Sequence, residues 1–328
     1  MEKKDLRIVF FGTPEFAVES LSRLVDEGYN IVAVVTATDK PGRRGHHLIQ
    51  SEVKQYALAH GLRLLQPERL KDETFIEQLR SLDAHLHIVI AFRMLPEAVW
   101  AMPPLGTFNL HASLLPRYRG AAPINWAIIN GDTETGVTTF FLQHEIDTGD
   151  IIDQRRVPIG PDDNLGQVYD RLMRLGADMV IDTVRQITRG SVKTIPQDRL
   201  IAAGEVATPA PKIFADTCRI DWSRPARELH NLVRGLSPVP AAWTMLVPRD
   251  GEPQKLKIFV TRPMDSDWQP GTEEFHRPGS PMVFNRELFI ATGDGYLRVD
   301  ELQSAGGRRM TAHDFLLGRP LSQGWTLN

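Results

Sequence analysis

The sequence predicts an α/β chain, a Rossmann-like open sheet with helices on both faces followed by a small C-terminal β-barrel. Three observations predict it. Up to about residue 190, short apolar runs alternate with segments whose apolar residues recur at helical spacing, the pattern of strands joined by crossover helices. The first such repeat is a βαβ opening of the nucleotide-binding kind, with a Gly-marked turn between strand and helix. Beyond residue 190 the texture turns polar and Pro-containing, and then short β-like runs recur between Gly, Pro and Asp.

Residues 6–11 are continuously apolar, as a strand buried on both faces requires, and Gly12 ends the run. Thr13 is expected as the N-cap and Pro14 in the first helical position; Leu21, Leu24 and Val25 then recur until Gly28 stops the helix. Residues 31–35 supply the second strand. The turn lacks G-x-G-x-x-G, and Pro14 and Phe16 crowd it, which counts against a nicotinamide-dependent oxidoreductase. Helices follow over 51–60 and 72–82, strands over 62–65 and 86–91, and a short helix from Pro96 to residue 101. A strand at 108–111, a helix over 124–129, strands over 136–142 and 151–157 and a long helix over 165–187 complete a domain of residues 1–190. Residues 191–210 read as a linker and 211–328 as a second domain. That domain has a helix near 225–235 and strands over 256–261, 282–284, 288–291 and 297–302.

The 328 residues are 42% hydrophobic and 24% charged, as in an ordinary globular protein. A single cysteine, Cys218, excludes an internal disulfide framework and a Cys-rich zinc site. No secretory h-region and no apolar run of membrane-spanning length is present, so a cytoplasmic protein with no membrane partner is expected. A net charge of −3 means that a polyanionic partner has to meet a local basic patch. Residues 36–47 are the candidate. Arg43, Arg44, His46 and His47 lie among glycines without apolar periodicity, which predicts an exposed mobile loop able to meet phosphates.

The chemistry points to Asn109-Leu110-His111, which leads into Ala112-Ser113-Leu114-Leu115-Pro116-Arg117-Tyr118-Arg119-Gly120. Two apart on a strand, Asn109 and His111 project from the same face, at the end where open α/β sheets place ligands. A later Gly-broken turn, Glu145-Ile146-Asp147-Thr148-Gly149, returns a carboxylate. An amide donor, an imidazole and a carboxylate arriving from separate turns make an acid/base set with a donor for an oxyanion. No metal-ligand spacing accompanies them, since His46 and His47 are adjacent.

These stretches, together with Val9-Phe10-Phe11-Gly12-Thr13-Pro14-Glu15-Phe16, Ile220-Asp221-Trp222 and Ala291-Thr292-Gly293-Asp294-Gly295, closely resemble the folate-dependent formyltransferases. Within them the resemblance is to the methionyl-tRNA formyltransferases, and it spans essentially the whole chain. It implies the formyltransferase fold and a second domain of oligonucleotide-binding (OB-like) barrel type that binds tRNA. It further implies transfer of the formyl group of 10-formyltetrahydrofolate, without a metal, to initiator methionyl-tRNA; a monomer is expected. By the same resemblance Asn109, His111 and Asp147 are catalytic. Phe92, Arg93, Met94, Leu95, Ser113, Leu114, Leu115, Pro116, His144 and Thr148 would line the folate site, largely through backbone groups. Arg43, Arg44, His46 and His47 would meet the tRNA, with Arg44 the best candidate for the acceptor stem. The alternatives are a nucleotide-amino-sugar formyltransferase, which usually has a shorter loop after the second strand, and a catalytically silent RNA-binding protein. An intact triad speaks against the latter.

Overall fold

The computed structural model describes residues 2–42, 48–201, 207–248, 252–265, 268, 277–318, 321 and 325–328. It divides into two compact units that interleave along the chain. The first comprises Met1–Gly120, Thr135–Val157 and Tyr169–Ala210; the second comprises Ala121–Glu134, Pro158–Val168 and Pro211–Asn328.

The first unit is built on a seven-stranded sheet. Its order is Ile151–Pro158, Glu134–Phe141, Thr107–His111, Leu86–Ile90, Arg7–Gly12, Asn30–Val35, Leu64–Leu65. The five strands from Thr107–His111 to Leu64–Leu65 are parallel, and Glu134–Phe141 joins them antiparallel. Register assigns the faces. Val9 and Phe11 lie beside His87 and Val89, and these beside Thr107 and Asn109, so this row and His111 share one face. That face meets Phe75 and Leu79 of the helix Glu73–Arg80 and Val99 of the helix Glu97–Trp100. On the opposite face a β-carbon at Gly176 of the helix Leu165–Thr188 would press on Leu110, and Thr183 of that helix hydrogen-bonds Thr139 at 2.9 Å. Helices thus cover both faces, and the continuous apolar strands are buried as predicted.

Local chemistry sets the helix ends. Ser51 and Asp72 cap Glu52–Ala59 and Glu73–Arg80 by accepting from the amides of Lys54 and Thr74. At the first helix, Glu15–Asp26, the N-cap is Pro14 and not Thr13; its extended backbone starts the helix without a side-chain cap. The 36–47 segment is also more structured at its ends than its composition suggests. Lys40–Pro41 pairs antiparallel with Leu48–Ile49, and Asp39 is held by Lys54 at 2.7 Å and Gln66 at 3.0 Å.

The second unit centres on an antiparallel sheet ordered Pro281–Phe284, Glu287–Ala291, Tyr296–Ser304, Gln254–Pro263, Ala242–Val247, Thr326–Leu327. Two register shifts between Ile258 and Thr261 bend its long strand, which curls the sheet into a half-barrel. The helix Ala226–Leu236 packs Leu229, Leu232, Val233 and Leu236 into its core with Trp222, whose indole N–H donates to Thr244 at 3.0 Å. The strand Ala242–Val247 and the helix Ala312–Gly318 are additions to the predicted set.

Candidate active site

Asn109 and His111 end the strand Thr107–His111, so both face the carboxyl edge of the parallel sheet. Asp147 comes from the turn joining Glu134–Phe141 to Ile151–Pro158. It adopts the left-handed conformation, φ 54°, which Asp and Asn tolerate better than other side chains. Gly149 explains the tightness of this turn, because a β-carbon there would overlap the Phe141 carbonyl oxygen. The turn delivers Asp147 Oδ2 to 3.8 Å from His111 Nδ1, with both side chains buried. The backbone N–H of Gly120 donates to the same oxygen at 2.9 Å.

On its other side, His111 Nε2 lies 2.8 Å from the Tyr118 carbonyl. A carbonyl only accepts, so Nε2 carries a proton there, and Nδ1 faces the Asp147 carboxylate. The ring is therefore held so that a proton gained at Nδ1 meets a carboxylate. Asn109 adds an unusual group. Its side-chain oxygen is buried without a hydrogen bond among the described residues, an arrangement that costs about 1–3 kcal/mol until a donor arrives. His87, further down the same face and beside Phe11, is fully buried; burial pushes its imidazole down to about 4, opposed by the Val99 backbone.

The loop after His111 is anchored from behind. Thr138 Oγ1 donates to the Ser113 carbonyl at 2.6 Å and accepts from the Leu115 amide at 3.2 Å. Gln154 Nε2 spans the Leu115 carbonyl and Thr138 at 2.9 and 3.0 Å, and Ser113 Oγ donates to Arg117 at 2.6 Å. Ser113, Leu114, Leu115 and Pro116 are buried, so this stretch packs as part of the interior behind His111.

A cavity of about 350 Å³ opens beside the Asp147 turn, lined by Trp100, Arg119, Gln143, His144, Glu145, Thr148 and Asp198. Of the predicted folate residues it gathers His144, stacked edge-on to Trp100, and Thr148. The other predicted folate residues are not among its lining. Phe92 packs against Phe11, Leu95 joins the core, Met94 is 68% exposed, and Arg93 is tied to the Pro67 and Glu68 carbonyls. Arg43, Arg44, His46 and His47 lie outside the described residues. Sequence reasoning missed Trp100, Arg119 and Gln197. Arg119 was visible as a cation inside the central motif, whereas Gln197 sits in an aperiodic polar stretch that carries no signal. Among the described residues no group of three or more His, Cys, Asp or Glu is arranged to hold a metal ion.

The family described as formyl transferase matches residues 6–184, and the formyl transferase C-terminal domain matches residues 212–320. The chain is 55% identical over 328 residues to the methionyl-tRNA formyltransferase of Bacteroides fragilis, covering 100% of this chain and 99% of that one. It is 59% identical over 319 residues to the methionyl-tRNA formyltransferase of Phocaeicola vulgatus, covering 97% of each. Among solved structures, the N-formyltransferase from Helicobacter canadensis in complex with folinic acid and dTDP-3-aminofucose aligns with a TM-score of 0.63 at 20% identity, over 91% of this chain and 99% of that one. HypX from Aquifex aeolicus in complex with tetrahydrofolic acid aligns at 0.60 and 18% identity, over 97% of this chain and 48% of that one. These two share the fold. The matches across both halves of the chain, and the identity to full-length relatives, establish that it belongs to the methionyl-tRNA formyltransferase family.

Proposed function

We propose that Asn109, His111 and Asp147 carry the chemistry of the family's reaction in this chain. The protein transfers the formyl group of 10-formyltetrahydrofolate to the amino group of methionyl-tRNA, giving the N-formylmethionyl-tRNA of translation initiation. The observation that carries the site assignment is the buried pairing of His111 with Asp147 at the sheet's carboxyl edge, with Gly120 fixing the carboxylate.

Attack of the amine forms a C–N bond, moves charge onto the formyl oxygen and leaves the nitrogen with a proton to lose. The Asn109 side-chain oxygen, which has no hydrogen-bond partner among the described residues, accepts an N–H of the incoming amine, and its amide N–H donates to the developing oxyanion. His111 takes or relays the proton, and Asp147 holds the imidazolium that results. Collapse breaks the bond to the folate nitrogen, which leaves with a proton. A general acid–base pair of this kind contributes roughly 10²–10⁴ in rate.

By the same reading the backbone of 92–95 and 113–116, with His144 and Thr148, receives the folate. The exposed position of Met94 and the cavity beside Thr148 support this. Arg43, Arg44, His46 and His47 read the acceptor end of the initiator tRNA. Support comes from the paired strands Lys40–Pro41 and Leu48–Ile49, which bring both ends of that segment to one place. Residues 1–190 act as the catalytic domain, 191–210 as a linker and 211–328 as the tRNA-binding OB-like domain, in a cytoplasmic monomer. No helix among the described residues is long and apolar enough to cross a membrane.

The test is formyl transfer from 10-formyltetrahydrofolate to charged initiator tRNA, with a nucleotide amino sugar as competing acceptor. Transfer to the tRNA alone is expected, with Arg44→Ala raising the KM for tRNA and leaving the KM for folate unchanged. Transfer to the amino sugar would move the chain to the sugar-modifying enzymes, and an unchanged tRNA KM in Arg44→Ala would remove the loop assignment.

A further inference from the structure

We propose that Gln197 is the positioning residue that locks the Asp147 turn and Arg119 in their working geometry. The inference rests on the assignment of Asp147 to the reaction. Gln197 is 2% exposed and lies in the short 3₁₀ turn Gln197–Leu200. Its carboxamide is fully committed. Nε2 donates to the carbonyls of Asp147 and Gly149, both at 2.8 Å, and Oε1 accepts from Arg119 Nε at 3.1 Å and Nη2 at 2.7 Å.

The two carbonyls flank Thr148, so one amide group grips the turn on both sides of its tip. The left-handed conformation of Asp147 has an energetic cost that surrounding contacts must offset. Among them are the Gln197 donors from one side and the Gly120 N–H to Asp147 Oδ2 from the other. Gly120 and Arg119 themselves pair with Pro209–Ala210, which backs the strand whose Gly120 N–H holds Asp147. Arg119 also lines the cavity, and its guanidinium is oriented by Gln197 at that wall. A side chain chosen only to fill space would not need two donors and an acceptor in this arrangement, because an apolar residue avoids desolvating the amide.

The chemistry of the amide makes the proposal separable. Gln197→Glu keeps an acceptor for Arg119 but has no N–H for the two carbonyls and sets a negative charge against them. Gln197→Met keeps the length and removes both interactions. Displacing a catalytic group by an ångström costs on the order of a hundredfold in rate. Both variants are therefore expected to lose roughly tenfold to a hundredfold in kcat, with the KM for tRNA unchanged.

The experiment measures kcat, both KM values and the thermal midpoint for Gln197→Glu, Gln197→Met and Asp147→Asn in the full chain. Asparagine retains the left-handed backbone, so Asp147→Asn reports the carboxylate alone. A fall in kcat for both Gln197 variants, alongside loss in Asp147→Asn, supports the positioning role. Wild-type kcat in Gln197→Glu overturns it, because the carbonyl donors then do not matter. A lowered midpoint with kcat per folded molecule retained in either variant overturns it as well, leaving a structural role. Full activity in Asp147→Asn would instead sink the site assignment on which the inference rests.

Discussion

Replacing Thr138 with valine probes how the sheet holds the loop that follows His111. Thr138 is fully buried, and valine fills nearly the same volume, so packing is kept while one oxygen is lost. That oxygen donates to the Ser113 carbonyl at 2.6 Å and accepts from the Leu115 amide at 3.2 Å. Gln154 Nε2 also donates to it, but retains the Leu115 carbonyl at 2.9 Å. Thr138→Val thus strands two buried backbone groups at about 1–3 kcal/mol each, giving a destabilisation of about 2–6 kcal/mol. Urea denaturation followed by circular dichroism measures the loss. Hydrogen exchange over residues 111–118 locates it, because the loop's amides should exchange faster in the variant. The formylation rate should fall with it, since Tyr118 of the same loop accepts from His111. A stability within about 0.5 kcal/mol of wild type, with unchanged exchange, would refute the reasoning, for that is the behaviour of a surface substitution.

Two further predictions address the turn and the buried imidazoles. Gly149→Ala places a β-carbon onto the Phe141 carbonyl oxygen and 3.2 Å from the Phe140 ring, so the backbone of the Asp147 turn must move. A fall in kcat of roughly tenfold or more is expected in the steady-state assay, and wild-type turnover would show that the turn tolerates the shift. His87 stays neutral in the folded protein down to about pH 4, whereas in the unfolded chain it takes a proton near 6.5. The unfolded state then binds more protons, so stability is full above about pH 6.5 and declines as pH falls toward 4, by about 3 kcal/mol. Burial lowers His230 as well, in the same direction. Thermal melts between pH 7 and 4 should show His87→Leu losing less stability than wild type, and parallel curves would exclude this source of acid sensitivity.

Much of the first unit was legible because its strands are apolar throughout and its helices carry regular apolar spacing, both local signals. The turn chemistry was partly so. Ser51 and Asp72 cap as side chains of their type do, but Pro14 displaced Thr13, since an extended proline begins a helix without a capping bond. The strand Ala242–Val247 was hidden behind Pro238 and Pro240, which mark a break and not the strand that follows. In the candidate site, Asn109 and His111 were visible because their spacing of two is itself the structural message, and Asp147 because Gly149 marks its turn. Gln197 was not, because its partners lie 48–78 residues away and a lone amide in an aperiodic stretch leaves no pattern. The faces of the sheet needed register, which the antiparallel Glu134–Phe141 strand and the crossover helices settle only in three dimensions.

His111, held between Asp147 and Tyr118, is the residue proposed to serve the proton in formyl transfer. Single-turnover formylation of methionyl-tRNA, with the protein in excess over tRNA and folate saturating, isolates that step from binding and release. His111→Ala should slow the single-turnover rate by roughly 10²–10⁴ while tRNA affinity is unchanged. A His111→Ala protein that formylates at the wild-type single-turnover rate would contradict it.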